Sequence, residues 1–414
     1  MLGFDLSLPV VVFVAVYLGM ALGRIPGLAI DRTGVALLGL IALLATGTMS
    51  LDEAGAAVDM PTIALLFALM ILSAQFEMSG FYGLVAERVT HAAGNPRNLL
   101  LTIVLVTGVL AAVLSNDVVV FALTPLVCVG LLKRGIDARP YLVGLAGAAN
   151  VGSAATLIGN PQNILIGQAG GLPFWSYVQV ALPPVLLSLV FVYWAVLWTW
   201  RGRFTQKPSP FRIPETVAEV DRLQLGKGIL AVGALIGLFL TPLPRELSAL
   251  AVAGFLLLSR RLSSRDMIGA ADWHLLLLFT CLFAVTAAFE KTGIAQAFLA
   301  DLAGMGFAPE RLSVLAPLML AASNTIGNVP AIILILQILP DLPSGVLTGL
   351  ALLSTFAGNL LLTGSLCNII VAERAESAGA RLTFLDFARS GIVMTIASLA
   401  VTVGWLWLLG IMRL

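Results

Sequence analysis

Four clusters of small polar residues interrupt otherwise apolar stretches of the 414-residue chain: Ser115-Asn116-Asp117, Gly159-Asn160-Pro161-Gln162-Asn163, the run Ser323-Asn324-Thr325-Ile326-Gly327-Asn328-Val329-Pro330, and Thr363-Gly364-Ser365-Leu366-Cys367-Asn368. Gly and Pro end or kink helices. A helix broken at such a point exposes N–H groups on one side, which favour anions, and carbonyls on the other, which favour cations. Asn, Ser and Thr complete such a site at low charge cost. The chemistry suggested is coordination of a solute or ion, not bond breaking. Each break alone reads as a kink or packing contact; four at matching positions read as one polar centre.

Enzyme chemistry has little support. No nucleophile is paired with a base: His91 falls in a loop and His274 at the start of an apolar stretch, and neither is expected to be a ligand. Cys128, Cys281 and Cys367 are isolated, without disulfide or metal spacing. Cys367 beside the fourth break reads as a small apolar residue. No nucleotide-binding loop is present, so no cofactor is expected and ATP-driven transport would need a separate subunit. A net charge of +1 offers no footprint for nucleic acid. Asp117 stands out as an acid deep in an apolar segment, where acids are costly and default to function. It could carry a coupling proton or help hold Na⁺, or it could cap the second helix of its hairpin. No Lys or Arg falls within the four clusters. An anionic cargo would therefore rely on backbone N–H groups, Asn side chains and a co-bound cation, while a neutral hydroxy-acid would also fit.

These residues need a membrane scaffold. Hydrophobic residues make up 59% and charged residues 11% of the chain, with mean hydropathy +1.01, against roughly 25% charged in soluble domains. No basic region precedes the first apolar stretch, where Asp5 stands, so no cleavable signal peptide is expected. Apolar spans are predicted at 8–23, 33–48, 61–78, 141–166 and 174–199, and again at 228–242, 246–259, 273–289, 344–371 and 390–411. Between the third and fourth of each set lie stretches of awkward length, 99–132 and 312–339. Arg88, Arg97, Lys133, Arg134 and Arg139 flank the first on both sides, and mostly acids flank the second. Each therefore starts and ends on one face, as a re-entrant hairpin does.

The positive-inside rule then places both termini outside and the 201–227 linker in the cytoplasm, leaving only Arg245, Lys291, Arg311 and Arg413 outside. A short amphipathic helix is expected near 214–224. Trp175, Trp200 and Trp273 read as interface anchors. Five spans plus a hairpin per half require any repeat to be inverted. The repeat is visible in SAQFEMSG (73–80) against TAAFEKTG (286–293), LSNDVVV (114–120) against IGNVPAI (326–332), and GNPQNILIG (159–167) against GSLCNIIVA (364–372). Glu77 and Glu290 match across it and read as interfacial structural residues. The fold class is an all-α polytopic membrane protein: residues 1–200 form the first inverted repeat, 201–227 the linker and 228–414 the second. Paired broken helices point to a midplane site of an alternating-access transporter.

At these clusters the sequence resembles the ion transporter superfamily, which includes the arsenite-efflux permeases and the divalent anion:sodium symporters. The resemblance is strongest to bacterial members classed as anion transporters. It rests on LSNDVVVFALTPLV (114–127), TLIGNPQNILIG (156–167), ASNTIGNVPAIILIL (322–336) and TGSLCNIIVA (363–372), and it covers essentially the whole chain. It implies a homodimer in the cell inner membrane, with scaffold and transport domains and elevator-type movement. The positions it implies for substrate and coupling ion are Ser115, Asn116, Asp117, Gly159, Asn160, Asn163, Ser323, Asn324, Asn328, Gly364, Ser365 and Asn368, with Asn116, Asp117 and Asn324 as candidates for Na⁺. Departures matter. The sodium-coupled carboxylate members carry Ser-Asn-Thr at the first tip, where this chain has Asp117. Their two Pro-Pro-Asn signatures appear here as Asn160-Pro161-Gln162-Asn163 and Ser365-Leu366-Cys367-Asn368. The expectation is a proton- or sodium-coupled carrier of a small oxyanion or its neutral hydroxy-acid, like arsenite or silicate. The alternatives are a Na⁺/H⁺ antiporter and a sodium-coupled sulfate or carboxylate symporter.

Overall fold

The structure is a computed structural model describing residues 7–22, 28–92, 95–204, 220–297, 308 and 310–414. The described residues are helical, without a β-sheet. In chain order the helices are α1 (Leu8–Leu22), α2 (Arg32–Ala45), α3 (Leu51–Ala57), α4 (Met60–Met78), α5 (Phe81–Ala92), α6 (Pro96–Val113), α7 (Asn116–Lys133), α8 (Arg139–Ser153), α9 (Pro161–Ala169) and α10 (Phe174–Thr199). They continue as α11 (Arg222–Phe239), α12 (Arg245–Leu257), α13 (Ser264–Gly269), α14 (Trp273–Glu290), α15 (Leu312–Thr325), α16 (Asn328–Ile338), α17 (Ser344–Ala357), α18 (Leu366–Ser377) and α19 (Phe384–Leu408). Seven of them are long and apolar enough to cross a membrane among the described residues: α4, α6, α7, α10, α11, α14 and α19. Exposed Leu186, Trp194, Leu223 and Leu230 offer apolar surface to lipid.

Local chemistry sets many of the ends. Asp31, Asp59, Asn95, Asp221 and Asp272 accept backbone N–H groups at the starts of α2, α4, α6, α11 and α14, and Thr383 with Asp386 closes a capping box on α19. The Asp221 cap starts α11 inside the stretch read as linker. Most of the helix expected near 214–224 lies outside the described residues. The short helices α3, α5 and α13 were not anticipated; they are too short or too polar to register as spans.

The helices pack as two groups. In one, α4 packs on α12, α2 on α14, α1 on α2 and α11 on α12. In the other, α6 packs on α8, α10 on α19, α7 on α18 and α15 on α17. The expected stretch 141–166 is two helices, α8 and α9, joined by an irregular turn, and 344–371 is likewise α17 and α18. Every residue of α8 from Pro140 to Ser153, and of α17 from Val346 to Ala357, is buried. A helix apolar all round belongs in a core. Small residues let its neighbours close in: a Cβ on Gly152 would collide with the backbone of Gly108 on α6.

Two expectations about aromatic and acidic residues change. Trp175 and Trp273 are 57% and 52% exposed, as interface anchors should be, but Trp200 is only 7% exposed. Its indole donates to Ser390 Oγ at 3.2 Å and lies under Arg139. Asp117 does not cap α7. Ser115 holds the cap position without a side-chain bond, and Asp117 is the second helical residue.

Candidate functional site

Where α8 breaks, Asn160 caps α9 by accepting from Asn163 N at 2.9 Å, and Pro161 opens the helix. The first hairpin tip meets this break directly: Asn116 N donates to Gly159 O at 2.9 Å. Contact this close requires glycine, because a Cβ on Gly159 would enter the shell of Ala111 O. The second tip also lies against the second break, where a Cβ on Gly364 would strike Asn324 Oδ1. Asn324 Nδ2 donates to Leu320 O at 2.9 Å and Ala357 O at 2.8 Å. Ser323 is fully buried, with Oγ donating to Ser354 O at 3.4 Å.

Asn150 ties the two breaks together. Its Nδ2 donates to Asn359 Oδ1 at 2.8 Å and Asn368 Oδ1 at 2.9 Å. Its Oδ1 accepts from Ser365 Oγ at 3.0 Å and Asn116 Nδ2 at 3.3 Å. Asn368 Nδ2 in turn donates to Gly358 O at 2.8 Å. On the other side, Thr355 Oγ1 donates to Asn163 Oδ1 at 3.4 Å and accepts from Gln162 Nε2 at 3.2 Å. Asn163 Nδ2 donates to Thr156 O at 2.9 Å and Tyr177 Oη at 3.0 Å. Asn160 Nδ2 donates to Ser153 Oγ at 2.8 Å. Sequence reasoning missed Asn150, Asn359 and Thr355. Their signal was a polar residue inside a wholly apolar, small-residue helix or just past its end.

A cavity of about 610 Å³ opens between the two helix groups. Asn116, Asp117, Asn328 and Ser365 line one wall; Arg32, Asp272 and His274 line the other. Asn163, Asn160 and Asn368 are fully buried behind the first wall, bonded within the network, and Ser115, Gly159, Ser323, Asn324 and Gly364 do not line the cavity either. Gln162, which was not singled out individually, does. His274 and a cation, Arg32, also line the cavity. The sequence reading confined the centre to the polar clusters, but α2 and α14 begin beside the two tips and bring these side chains in.

Several polar atoms on the cavity wall lack partners. Asn116 Oδ1 and both amide atoms of Asn328 are buried with no hydrogen bond. The Asp117 carboxylate has no hydrogen bond or ion pair among the described residues. Buried polar atoms are nearly always satisfied, so orphans just beneath a cavity wall single out Asn116 and Asn328. No group of three or more metal-type ligands occurs among the described residues.

The sequence pattern of the citrate transporter family, CitMHS, matches residues 13–346. The chain belongs to this family. An uncharacterised transporter of Mycobacterium tuberculosis is 29% identical, with 96% of this chain and 97% of that protein aligned. A silicon efflux transporter of Oryza sativa is 27% identical over 95% and 97%. Inner membrane protein YbiR of Escherichia coli is 31% identical over 78% and 81%. Among solved structures, the YdaH transporter of Alcanivorax borkumensis matches with TM-score 0.56 and 15% identity over 98% of each chain, which shows a shared fold. This citrate transporter family member is thus a multi-pass membrane protein and a secondary transporter, not an enzyme. Its breaks, tips and cavity are the parts available for binding a solute.

Proposed function

We propose that this protein is an ion-coupled secondary transporter for a small oxyanion or its neutral hydroxy-acid, of the arsenite or silicate kind. The coupling ion is H⁺ or Na⁺, and the group carrying the hairpins and broken helices slides past the other as an elevator. The observation that carries this reading is the unpartnered Asp117 carboxylate beside the orphan Asn116 Oδ1 and the orphan amide of Asn328, three residues that line one cavity between the two groups. A carboxylate in that place suits a proton or a small cation, and the amides suit an uncharged or oxyanionic cargo.

The remaining architecture follows from the same reading. The hairpins are re-entrant, because the first tip lies against a break from which α9 runs on for about 13 Å at helical rise. The two halves are inverted repeats, and the shared offset in sequence between Asn160 and Ser365, Asn163 and Asn368, and Asn150 and Thr355 supports this. With the termini outside and the linker cytoplasmic, α2 and α14 start on the cytoplasmic side, so the cavity opens inward. Two protomers assemble as a dimer. Asp31, Asp117, Asp272 and Glu373 on the cavity also favour a second reading, Na⁺/H⁺ antiport. The family description and the silicon efflux relative add citrate and silicate as cargoes to try.

The test is flux in proteoliposomes under separately imposed pH and Na⁺ gradients, with arsenite, silicate, phosphate, sulfate and citrate. Flux of arsenite or silicate driven by pH alone, and lost in Asp117→Asn, supports proton coupling. Flux of sulfate or citrate driven by Na⁺ alone makes the protein a sodium symporter. Na⁺ and H⁺ exchange with no cargo moves it to antiport.

A further inference from the structure

Arg32 is the first residue of α2. A cation is poorly placed there, because the helix N-terminus already carries a partial positive charge. The neighbouring acids do not compensate. Among the described residues Arg32 joins no ion pair and no hydrogen bond. Asp31 and Asp272 line the same cavity, but each accepts a backbone N–H of its own helix, Gly34 N at 2.8 Å and Leu275 N at 2.9 Å. They are also exposed at the cavity mouth, as are His274 and Glu373, whereas Arg32 and Asp117 are half-buried.

What Arg32 faces is the second hairpin tip. A Cβ built on Gly327 would stand 3.9 Å from Arg32 Nη1. Gly327 has φ +98° and holds the cap position of α16 without any side-chain bond, so the first N–H groups of α16 are uncapped. Beside them Asn328 is 6% exposed and lines the cavity with neither amide atom bonded. A guanidinium on one wall and an uncapped helix N-terminus on the other face one space, with the orphan Asn328 amide buried beside the tip against Gly358. Each donates and none is satisfied, so the missing partner is an acceptor carrying negative charge.

We infer that Arg32 and the Gly327–Asn328 tip form an anion subsite spanning both helix groups, so that this face of the protein recognises the ionised oxyanion rather than the neutral hydroxy-acid. The inference rests on the transport reading above and sharpens its substrate class. It also makes Arg32 a specificity-determining residue contributed from outside the polar clusters. Asp117 lies on the same cavity, and an anion beside it is opposed by Coulomb repulsion unless the coupling cation is in place. Oxyanion and coupling ion are therefore expected to bind together.

The test is equilibrium binding to the purified full-length protein in detergent, with sulfate and phosphate as ionised probes and arsenite as the neutral one. Wild type, Arg32→Gln, Arg32→Lys and Asn328→Ala are compared, each first checked for an unchanged melting temperature. Loss of a charge-assisted partner is expected to weaken sulfate or phosphate binding by about tenfold or more in Arg32→Gln. Arg32→Lys should retain part of it, Asn328→Ala should lose it as well, and arsenite binding should not change. Equal oxyanion binding by wild type and Arg32→Gln would overturn the subsite. So would an absence of any oxyanion binding by wild type, or an equal loss of arsenite binding in Arg32→Gln. None of these three outcomes touches the flux assay, which decides the transport reading separately.

Discussion

Asn150, deep in α8, donates to Asn368 at 2.9 Å, and so fastens one half's buried helix to the other half's broken one. Thr355, deep in α17, does the reverse by donating to Asn163 at 3.4 Å. Each break is thus held by a polar residue from the opposite half. Removing Asn150 would orphan the acceptors of Asn359 and Asn368 and the donors of Ser365 and Asn116 together. Asn150→Ala is expected to destabilise the protein by roughly 1–3 kcal/mol, since unsatisfied buried groups cost about that much. Because the partners share one network, Asn150→Ala and Asn368→Ala should be non-additive by about 0.5 kcal/mol or more. A double-mutant cycle of unfolding in detergent reads the coupling. Additive losses would mean that the two asparagines act independently.

Asn163 and Asn328 look alike in sequence, each an asparagine within a break. Structurally they differ. Asn163 spends both ends of its amide on Thr156, Tyr177 and Thr355, while Asn328 spends neither. Asn163→Ala is therefore expected to lower the melting temperature and leave the KM of the remaining folded protein unchanged. Asn328→Ala is expected to fold as wild type and raise KM about tenfold, the loss of roughly one hydrogen bond to a charged ligand. Melting curves and concentration-dependent flux on the same samples check both. A raised KM in Asn163→Ala with normal stability would reverse the assignment.

The positions of the breaks and tips were legible because Gly, Pro and Asn in an apolar run signal interrupted helix directly. The tip residues Asn116 and Asn328 line the cavity. The other wall was not legible. Arg32 and His274 begin ordinary spans, and nothing local distinguishes them from interface charges; only the packing of α2 on α14 brings them to the tips. Asn150 was hidden for the opposite reason. Its helix reads as one continuous apolar span, and a single Asn there gains meaning only from four partners distant in sequence.

Of the basic residues that the positive-inside rule leaves outside, Lys291 has a clear partner: its Nζ lies 2.7 Å from Glu53 Oε1. The hydrogen bond from Lys291, with that from Ser50, draws the Glu53 carboxyl from its ordinary 4.5 down to about 2. A depressed carboxyl contributes stability above its ordinary pKa and loses it as pH falls through the lowered value. The pair is exposed, so the contribution is small. Melting temperatures of wild type and Glu53→Gln should differ slightly at pH 7 and converge between pH 4.5 and about 2, with flux at pH 7 unchanged. A difference that widens as pH falls would contradict the sign.

Arg245, another of the cations that this rule leaves outside, grips the far end of the first broken helix. Its guanidinium donates to Gly167 O at 3.0 Å and to Leu172 O, while Gln168 donates to Glu246 at 3.2 Å. These carbonyls lie at the C-terminal end of α9, where a cation is favoured. The contact joins α12 of one helix group to α9 of the other, so under the elevator reading it exists only in this access state. Removing it should shift the population away from the open cavity. Thr363 lines that cavity and is exposed, and the native cysteines are buried, so a Thr363→Cys protein reports opening by its maleimide labelling rate. Adding Arg245→Ala is expected to slow labelling by up to about fivefold, the equivalent of about 1 kcal/mol for a partly exposed charged hydrogen bond. Unchanged or faster labelling would mean that Arg245 merely caps α9 and holds no state closed.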